Sequence, residues 1–441
     1  MSRSPIDFVH GLTFDDLPVA VVGQAKRCLL DLIGVAASGR QTALSRIVHD
    51  FAVNQMGAAT GGARLIFDGR RASVTGAAYA GASTIDSFDA HDGHRLTKGH
   101  AGVAVLPALL AFTEQKPVDG REFITCLVLG YEIATRAGMA LHATARDYHT
   151  SGAWNALGCA AVGARILGLS QDATRHALGI AEYHGPRSQM MRCIDHPTMV
   201  KDGSGFGALA GVSAVCLAAD GFTGAPALLI EGAAEAPFWR DLGAQWEITR
   251  QYHKPWPICR WAQPAMDATV ALMREHHVDR GAIADIEIHT FAEAVRLGTR
   301  PPRSTEEAQY AIGFPVAAIA ARGVLGAAEL SDAGLNDPGI GAMLAQLRLV
   351  EEPDFSRRFP AERLAAVTLT LRDGTRLCSG PTTPRGDPED ALSDHEVSEK
   401  FRAFASVLGD RRVAGIECCV AALEHDIGAL PALNEAILAP V

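Results

Sequence analysis

Between residues 18 and 250, apolar residues recur at helical spacing in segments that Gly, Pro, Ser or Asp separate from one another. The clearest of these segments are residues 21–37, 103–114, 120–141, 152–167 and 205–219. Several are apolar on nearly every face, and such a helix lies at the centre of a bundle rather than on its surface. The 44 glycines and the many alanines allow close helix packing. This half of the chain is therefore predicted to form a helical bundle.

The pattern changes after the proline-rich stretch at residues 254–259. Residues 286–291 alternate like a half-buried strand, and residues 365–377 predict a hairpin that turns across an Asp-Gly pair. Further helical patterns lie at residues 305–321, 338–347 and 393–438. A chain of 441 residues is long enough for two hydrophobic cores. We therefore predict a mainly α protein with a large all-α helical domain, residues 1–254 and 393–441, and a smaller α+β domain, residues 255–392.

The composition argues against several classes of function. The formal net charge is −10 and no run of five like charges occurs, so nucleic acid and anionic membrane surfaces are poor partners. The nine cysteines are scattered and never form Cys-x-x-Cys, which argues against a disulfide framework or a zinc ribbon. No signal peptide and no stretch of about 18 apolar residues is found. We expect a soluble, cytoplasmic enzyme with no nucleic-acid or membrane partner.

The most informative polar segment spans residues 86–107, where ionisable side chains immediately precede an apolar helix. Within a few residues it contains Asp89, His91, Asp92, His94, Thr97, Lys98 and His100. A hydrophobic core does not need so many titratable groups, and a solvated loop seldom gathers three histidines at a helix entrance. Clustered groups with tunable pKa values are typical of catalytic sites. The segment is therefore the strongest indication of function in the sequence.

Three other segments place charged side chains at helix entrances or at the predicted domain junction. His149 precedes a nearly all-apolar helix, whose N-terminus favours bound anions and lowers the pKa of a nearby histidine. Lys201 precedes another helix of small residues, and Lys254 and Arg260 flank the proline-rich stretch. A lone histidine or lysine of this kind is more often structural than catalytic. Such residues occur in several segments of this chain, which weakens the structural interpretation.

Two cofactor interpretations are weaker. His91 and His94 are three residues apart and could share a helical face with Asp92, but glycine breaks the segment and no fourth metal ligand is indicated. The glycines at residues 203–211 suggest a dinucleotide site, yet no strand precedes them and close helix packing explains them better. Nucleophile-elbow and P-loop motifs are absent. We expect neither a metal nor a cofactor.

Taken in order, these segments resemble the MmgE/PrpD family, which includes 2-methylcitrate dehydratase, cis-aconitate decarboxylase and iminodisuccinate epimerase. The resemblance runs over nearly the whole chain and indicates the family more strongly than the substrate. It is carried by Gly-His-Ala-Gly-Val-Ala-Val-Leu-Pro at 99–107, Gly-Tyr-Glu-Ile-Ala-Thr-Arg at 130–136, His-Thr-Ser-Gly-Ala-Trp-Asn at 149–155, Met-Val-Lys at 199–201, Lys-Pro-Trp-Pro-Ile-Cys-Arg at 254–260 and Arg-Ser-Thr-Glu-Glu-Ala-Gln-Tyr-Ala-Ile-Gly-Phe at 303–314.

The resemblance implies a helical domain, an inserted α+β lid, an active site in the cleft between them and a homodimer. It also implies metal-free chemistry on a di- or tricarboxylate. The catalytic residues implied by the match are His100, His149, Lys201, Lys254 and Asp89. We expect substrate binding by His91, Asp92, His94, Thr97, Arg260 and Phe314. Relatives have Asp-Asp-Thr where this chain has Asp89-Ala-His91-Asp92, and Phe314 stands where a decarboxylase would have tyrosine.

The family chemistry is removal or return of a proton at carbon next to a carboxylate. Negative charge then builds up on an anionic group, and we expect Lys201 and Lys254 to stabilise it, with Arg260 as a further candidate. His100 and His149 are the candidate base and acid, in either order. The carboxylate of Asp89 or Asp92 could hold an imidazole in the required tautomer.

We favour a cofactor-independent hydro-lyase, a dehydratase similar to 2-methylcitrate dehydratase. An epimerase is the close alternative, because the same proton abstraction followed by return on the opposite face needs no leaving group. A decarboxylase acting on a related dicarboxylate is a further alternative. A non-catalytic carboxylate-binding protein on the same scaffold is a less favoured one.

Overall fold

The computed structural model describes residues 4–441, so residues 1–3, which begin the first predicted domain, lie outside the described residues. The chain is 58% helical, which confirms the predicted mainly α class. It divides into two compact units. The first contains the chain up to Met190, together with Val200–His253 and Ser393–Val441, and the second contains Met191–Met199 and Lys254–Leu392.

The first unit is built almost entirely from helices. Its longer helices are Val19–Gly39, Ala43–Gln55, Val74–Asp86, Gly102–Thr113, Gly120–Thr144, Gly152–Leu167, Gln171–His184, Ser204–Ala219, Asp394–Phe404, Asp410–Ala422 and Ala429–Leu438. Its shorter helical segments are Pro5–Gly11, Phe14–Asp16, Leu228–Glu231, Ala236–Trp239, Glu247–Arg250 and Ser406–Leu408. Two short antiparallel pairs join Ala63–Arg64 to Arg71–Ala72 and Gly93–His94 to Gln251–Tyr252.

Glycines determine how closely the central helices of this unit pack. A Cβ atom on Gly130 would lie 2.3 Å from Val105 Cγ1, and one on Gly158 would lie 2.6 Å from the Gly130 carbonyl oxygen. Both distances are much shorter than a normal van der Waals contact, so a larger residue would push the helices apart. This is the close packing that the glycine and alanine content predicts.

The most apolar stretch of the Gly120–Thr144 helix is long and apolar enough to cross a membrane. However, 94% of that stretch is buried inside the structure, as in the core helix of a soluble protein. Asp119 caps the helix, because its carboxylate accepts a hydrogen bond from the Glu122 amide at 2.8 Å. All nine cysteines are free thiols.

The second unit combines short helices with a four-stranded sheet. In sheet order the strands are Leu347–Glu351, Ile283–Thr290, Ala365–Leu371 and Arg376–Cys378. The first two strands run parallel, and the other neighbours are antiparallel. The helical segments are Arg260–Ala262, Gln263–Glu275, Arg280–Ala282, Ala292–Val295, Thr305–Gln309, Gly313–Arg322, Asp332–Leu335, Pro338–Leu344, Pro353–Arg358 and Pro388–Asp390. The predicted hairpin is present, with Leu369 opposite Leu377.

The structure corrects two predicted helices of this unit. The helix predicted at 305–321 is broken into Thr305–Gln309 and Gly313–Arg322, where Gly313 packs so closely that a Cβ atom would lie 2.9 Å from Thr299 Cα. The helix predicted at 338–347 stops at Leu344. Leu347 instead pairs with Ile286, because hydrogen bonding to the neighbouring strand satisfies its backbone.

The predicted domain boundaries also need correction. Residues 191–199, expected in the helical domain, belong to the second unit, where Arg296 binds Asp195 with an Nε–Oδ1 distance of 3.0 Å. The boundary falls inside the short Met190–Asp195 helix, because Met190 belongs to the first unit and the residues after it belong to the second. Lys254, expected to end the first part of the helical domain, is the residue at which the chain enters the second unit.

We expect Gly158→Ala to lower the free energy of unfolding by about 1–3 kcal/mol, because the added methyl group overpacks a helix contact. Gly23→Ala is the matched control, since Gly23 is a helical glycine on which an added Cβ would meet nothing within 4 Å. Alanine there should stabilise the protein by about 0.5–1 kcal/mol. Urea denaturation measures both changes, and a Gly158→Ala variant as stable as Gly23→Ala would contradict this account of the packing.

Candidate active site

The loop between the Val74–Asp86 and Gly102–Thr113 helices brings several predicted site residues together. Asp86, Asp89, His91, Asp92 and His100 are all buried, and none exposes more than 8% of its surface. We call these five residues the Asp/His wall. A group of buried titratable side chains is costly unless its members are hydrogen-bonded or paired, so their contacts determine what the wall can do.

Two glycines let this loop pack tightly. A Cβ atom on Gly93 would lie 2.5 Å from the Tyr252 hydroxyl and 2.7 Å from Nδ1 of His100. A Cβ atom on Gly99 would lie 2.3 Å from Ser151 Oγ. The rings of His100 and Tyr252 consequently approach edge to face, with their centroids 6.3 Å apart.

The strongest constraint on His100 comes from a backbone group. Its Nδ1 atom lies 2.5 Å from the carbonyl oxygen of Asp92. A carbonyl oxygen can only accept a hydrogen bond, so Nδ1 carries the proton and Nε2 of the neutral ring carries the lone pair. His100 is therefore held in the tautomer whose Nε2 can accept a proton. Of the two carboxylates predicted to orient an imidazole, that of Asp92 does not hold the His100 ring, because the Asp92 main-chain carbonyl does so; the Asp89 alternative stays a prediction.

His91 lies between two carboxylates. Its Nε2 atom is 3.6 Å from Asp86 Oδ1 and 3.7 Å from Asp89 Oδ1, and it has no hydrogen-bond partner although it is buried. The His91 ring meets the His100 ring at 88°, with centroids 4.2 Å apart. A shift of less than 1 Å would allow His91 to donate a hydrogen bond to either carboxylate. His91 is thus a buried polar group that a ligand or a small movement can satisfy.

The carboxyl group of Asp92 binds a different partner from its carbonyl group. It accepts a short hydrogen bond from the Tyr131 hydroxyl, and burial together with the nearby charge of Asp31 raises the pKa of Asp92 to about 7. Asp31 in turn forms an ion pair with Lys400 at 2.5 Å. The wall is therefore supported from behind by a buried polar network.

Ser151 connects His100 to the segment that follows Lys201. Its hydroxyl oxygen accepts a hydrogen bond from the His100 amide at 2.9 Å, and its proton is donated to the Asp202 carboxylate. Burial and the neighbouring Asp86 raise the pKa of Asp202 well above its ordinary range. Lys201 is buried, and its φ of 50° places it in the left-handed region that favours glycine.

His94 and Thr97 close the loop. His94 Nε2 lies 3.2 Å from Glu247 Oε2, and burial lowers the pKa of His94. The Thr97 hydroxyl donates to the His94 carbonyl at 3.1 Å. The metal interpretation based on a shared helical face is wrong, because Gly93–His94 pairs as a short strand with Gln251–Tyr252.

His149 is half-buried and lies outside the contacts of the Asp/His wall given above. Its amide donates to His142 Nε2 at 3.2 Å, and it pairs with Gln189 in an isolated β-bridge. Burial and then the charge of Arg187 lower the pKa of His149. Burial accounts for the lowered pKa of His149, and the contribution of the helix N-terminus stays a prediction.

Three predicted residues belong to the second unit. Lys254 is almost completely buried, and Phe314 is buried in the Gly313–Arg322 helix. The Arg260 guanidinium forms an ion pair with Asp387 at 2.7 Å and also donates to the Pro384 carbonyl at 3.2 Å. These contacts give Arg260 a structural role in its own unit.

A metal ion would find three candidate ligands in the wall. Asp89, His91 and His100 each offer a ligand atom, and these atoms lie within 4.8 Å of one another. Zinc binds such atoms at bond lengths of about 2.0–2.2 Å. A tetrahedral zinc site would therefore bring the three ligand atoms closer to one another than 4.8 Å. The arrangement could close around a cation, and the absence of a metal stays a prediction.

Sequence reasoning missed several residues that support the site. They are Asp31, Tyr131, Ser151, Asp202, Tyr252 and Lys400. Asp202 follows Lys201 directly, and Ser151 and Tyr252 lie within segments already selected for their charged residues. No sequence signal distinguishes Lys400, which occurs in an amphipathic helix where lysines normally face solvent.

Known proteins resemble this chain along almost its full length. The sequence matches the MmgE/PrpD N-terminal domain over residues 6–238 and the MmgE/PrpD C-terminal domain over residues 256–425. The cis-aconitate decarboxylase-like protein oryM of Aspergillus oryzae is 24% identical over 97% of this chain and 95% of its own length. The cis-aconitate decarboxylase of Mus musculus is 26% identical, over 92% of this chain and 87% of its own length. The cis-aconitate decarboxylase of Homo sapiens is also 26% identical, over 90% of this chain and 86% of its own length.

We expect Asp92→Asn to flatten the pH dependence of stability. Folding raises the pKa of Asp92 from 3.8 to about 7, so the native state binds an extra proton between these values. The stability contributed by that proton is full below pH 3.8 and is lost as the pH rises through 7. Between pH 5 and 7, the wild-type free energy of unfolding should fall by about 1.4 kcal/mol per pH unit more steeply than that of the variant.

Urea denaturation at several pH values measures these slopes. Asp15→Asn is the control, since the Asp15 carboxylate is 85% exposed, and it should keep the wild-type slope. Equal slopes for Asp92→Asn and the wild type would show that Asp92 titrates normally in the folded protein.

Proposed function

The chain belongs to the MmgE/PrpD family, and on that premise we propose that it is a lyase acting on a di- or tricarboxylate. The favoured reaction is a dehydration that begins with loss of a proton from carbon next to a carboxylate. The hydrogen bond from His100 Nδ1 to the Asp92 carbonyl is the observation that carries this proposal. It selects the tautomer whose Nε2 can act as the base.

Removing that proton is difficult, because it adds negative charge to a group that is already anionic. We assign Lys201 and, from the family resemblance alone, Lys254 to stabilise the developing charge; Lys201 is buried in the first unit, so its charge acts through a low dielectric. The assignment of Lys254 rests on the family match, and Arg260 is left out because its guanidinium binds Asp387. Two buried lysines would also favour the binding of an anionic substrate to an acidic protein.

Dehydration also needs a group that protonates the departing hydroxyl. A proton donor must be protonated near neutral pH, and the lowered pKa of His149 works against that role. Asp202 is better suited, because its raised pKa favours the protonated form of the carboxyl group. Its Oδ1 atom is buried without a hydrogen-bond partner, and Ser151 connects its other oxygen to the His100 amide. We therefore propose Asp202 as the acid and His149 as the alternative.

Decarboxylation is the second candidate reaction, because the curated relatives are cis-aconitate decarboxylases. In that reaction carbon dioxide leaves first, and the site then protonates the carbanion. Epimerisation needs the same base as dehydration and a second group that returns the proton to the opposite face. None of the three reactions needs a metal or an organic cofactor. We also propose a cytoplasmic location, which the nine free thiols support.

A single screen separates these reactions. Methylcitrate, citrate, aconitate, tartrate and iminodisuccinate are incubated with the enzyme in deuterated buffer, with and without a chelator, and followed by NMR. An unsaturated product identifies dehydration, and carbon dioxide release identifies decarboxylation. Deuterium incorporation without loss of water identifies epimerisation. Tight binding of a carboxylate with none of these changes would favour a non-catalytic binding protein.

With the substrate found by this screen, we expect His100→Gln to lower kcat by about 10²–10⁴-fold, because the general base is removed. His176→Gln is the matched control, since His176 also places Nδ1 near a backbone carbonyl, that of Gly224 at 3.2 Å. It should keep wild-type turnover. Full turnover by His100→Gln in steady-state kinetics would remove His100 from the mechanism.

We also propose that the protein is a homodimer. An exposed apolar patch on the first unit supports this, and it includes Ile47, Phe51, Phe206 and Leu217, which are 42–56% exposed. The Tyr79 ring lies between the two phenylalanines, with centroid distances of 6.1 Å to Phe51 and 5.3 Å to Phe206. A cavity of about 240 Å³ adjoins Phe206 and Leu217. Exposed patches of this kind mark protein interfaces, and a two-fold axis would pair the patch with itself.

Light scattering coupled to size exclusion should therefore give twice the chain mass of 46.6 kDa. Phe206→Ser should shift the protein towards the monomer, because it removes the most exposed phenylalanine of the patch. Ile427→Ser changes a side chain that is 90% exposed elsewhere on the first unit, and it should leave the dimer intact. A monomeric wild type, or a dimer unaffected by Phe206→Ser, would contradict this interface.

A further inference from the structure

The Asp394–Phe404 helix contributes a buried lysine to the back of the Asp/His wall. Lys400 Nζ lies 2.5 Å from Asp31 Oδ1 and donates to the Ala90 carbonyl at 2.7 Å. Lys400 exposes 8% of its surface and Asp31 only 1%. An ion pair buried to this extent is not a surface contact of small consequence.

Ala90 lies between residues of the wall in the chain. It is flanked by Asp89 and His91, and Asp92, whose carbonyl accepts the His100 ring proton, follows two residues later. The Ala90 amide donates to the Phe88 carbonyl at 2.6 Å, which shows how sharply the chain turns here. Lys400 therefore holds the carbonyl at one end of a short turn, and the Asp92 carbonyl at the other end faces His100.

Tyr131 holds the same turn from another helix. Its hydroxyl donates to the Asp92 carboxyl group, so Asp92 is fixed through its side chain while its carbonyl remains directed at His100. The turn has one polar anchor from the Gly120–Thr144 helix and another from Lys400. With two anchors, the direction of the intervening carbonyl groups is restricted.

We propose that Lys400 is a positioning residue for His100. By binding the Ala90 carbonyl, it keeps the turn in the conformation that directs the Asp92 carbonyl at His100 Nδ1. The effect on the tautomer follows from the contacts alone, whereas the effect on turnover rests on the proposed function of His100 as the base. The two effects can therefore be measured separately.

Packing alone does not account for this lysine. Two apolar side chains of similar volume can replace a buried ion pair without loss of stability, and they often increase it. They cannot donate a hydrogen bond to the Ala90 carbonyl. A pair of substitutions that removes both charges, Lys400→Met with Asp31→Leu, therefore separates the positioning role from a simple contribution to folding.

The experiment compares this double variant with a matched pair elsewhere in the first unit. Lys26 also binds one carboxylate, that of Glu424, and one main-chain carbonyl, that of Ala421 at 2.8 Å. Lys26→Met with Glu424→Leu is therefore the control. Lys400→Gln with Asp31→Asn tests rescue, because the glutamine amide can still donate to the Ala90 carbonyl.

The first measurement is the nitrogen NMR spectrum of the His100 imidazole, assigned by the loss of its signals in His100→Gln. The wild type, the control pair and the rescue pair should show a single tautomer protonated at Nδ1. The Met/Leu variant should show a mixture with the tautomer protonated at Nε2. Its kcat should fall at least tenfold, since a misplaced catalytic group loses orientation, while KM changes by less than about twofold.

An unchanged tautomer in a folded Met/Leu variant would overturn the proposal, whatever its turnover. A changed tautomer with normal turnover would support the positioning role and instead refute His100 as the base. Should the Met/Leu variant not fold, Lys400→Met with Asp31→Asn makes the same comparison, because it also removes both charges and the hydrogen bond to Ala90.

Discussion

The candidate active site depends on one hydrogen bond, from the His100 ring to the main-chain carbonyl of Asp92. A carboxylate in that position would also orient the ring, but it would add another charge to a wall that already contains Asp86 and Asp89. A carbonyl oxygen fixes the tautomer without adding net charge. The proton-accepting nitrogen is thus set by backbone geometry, and that geometry is in turn held by Tyr131 and Lys400.

An acidic wall is an unexpected surface for an anionic substrate, and the pKa values resolve much of this difficulty. Burial raises the pKa of Asp92 to about 7 and that of Asp202 well above its ordinary range, so both carboxyl groups bind a proton more readily than an exposed aspartate does. The buried ammonium group of Lys201 lies next to Asp202 in the chain. The raised pKa of Asp92 makes the wall less negative than its composition implies, and Asp202, which lies outside the wall, is the candidate proton donor.

Much of the fold could be predicted from the sequence, because apolar periodicity and small residues determine helix packing. The hairpin at residues 365–377 also followed from local turn chemistry. The helix predicted at 338–347 is present but ends at Leu344, so its predicted end was wrong. Pairing of Leu347 with a neighbouring strand depends on residues about 60 positions away. For the same reason, residues 191–199 could not be assigned to the second unit before the contact of Asp195 with Arg296 was known.

In the site, the clustering of Asp89, His91, Asp92 and His100 could be predicted because these residues are close in sequence. The partner of the His100 ring could not, since a sequence shows which side chains are present but not the direction of a carbonyl group. Lys400 lies more than 300 residues from the Ala90 carbonyl that it binds, and its local pattern is that of a solvated lysine. Neither its burial nor its partners can be derived from neighbouring residues.

Neutron diffraction from crystals of the deuterium-exchanged wild type at pH 8 would test the central interaction most directly, because it locates the exchangeable hydrogens of the His100 ring. We predict a deuteron on Nδ1, directed at the Asp92 carbonyl oxygen, and none on Nε2. A deuteron on Nε2 would contradict the account, since that nitrogen could then no longer accept a proton from the substrate.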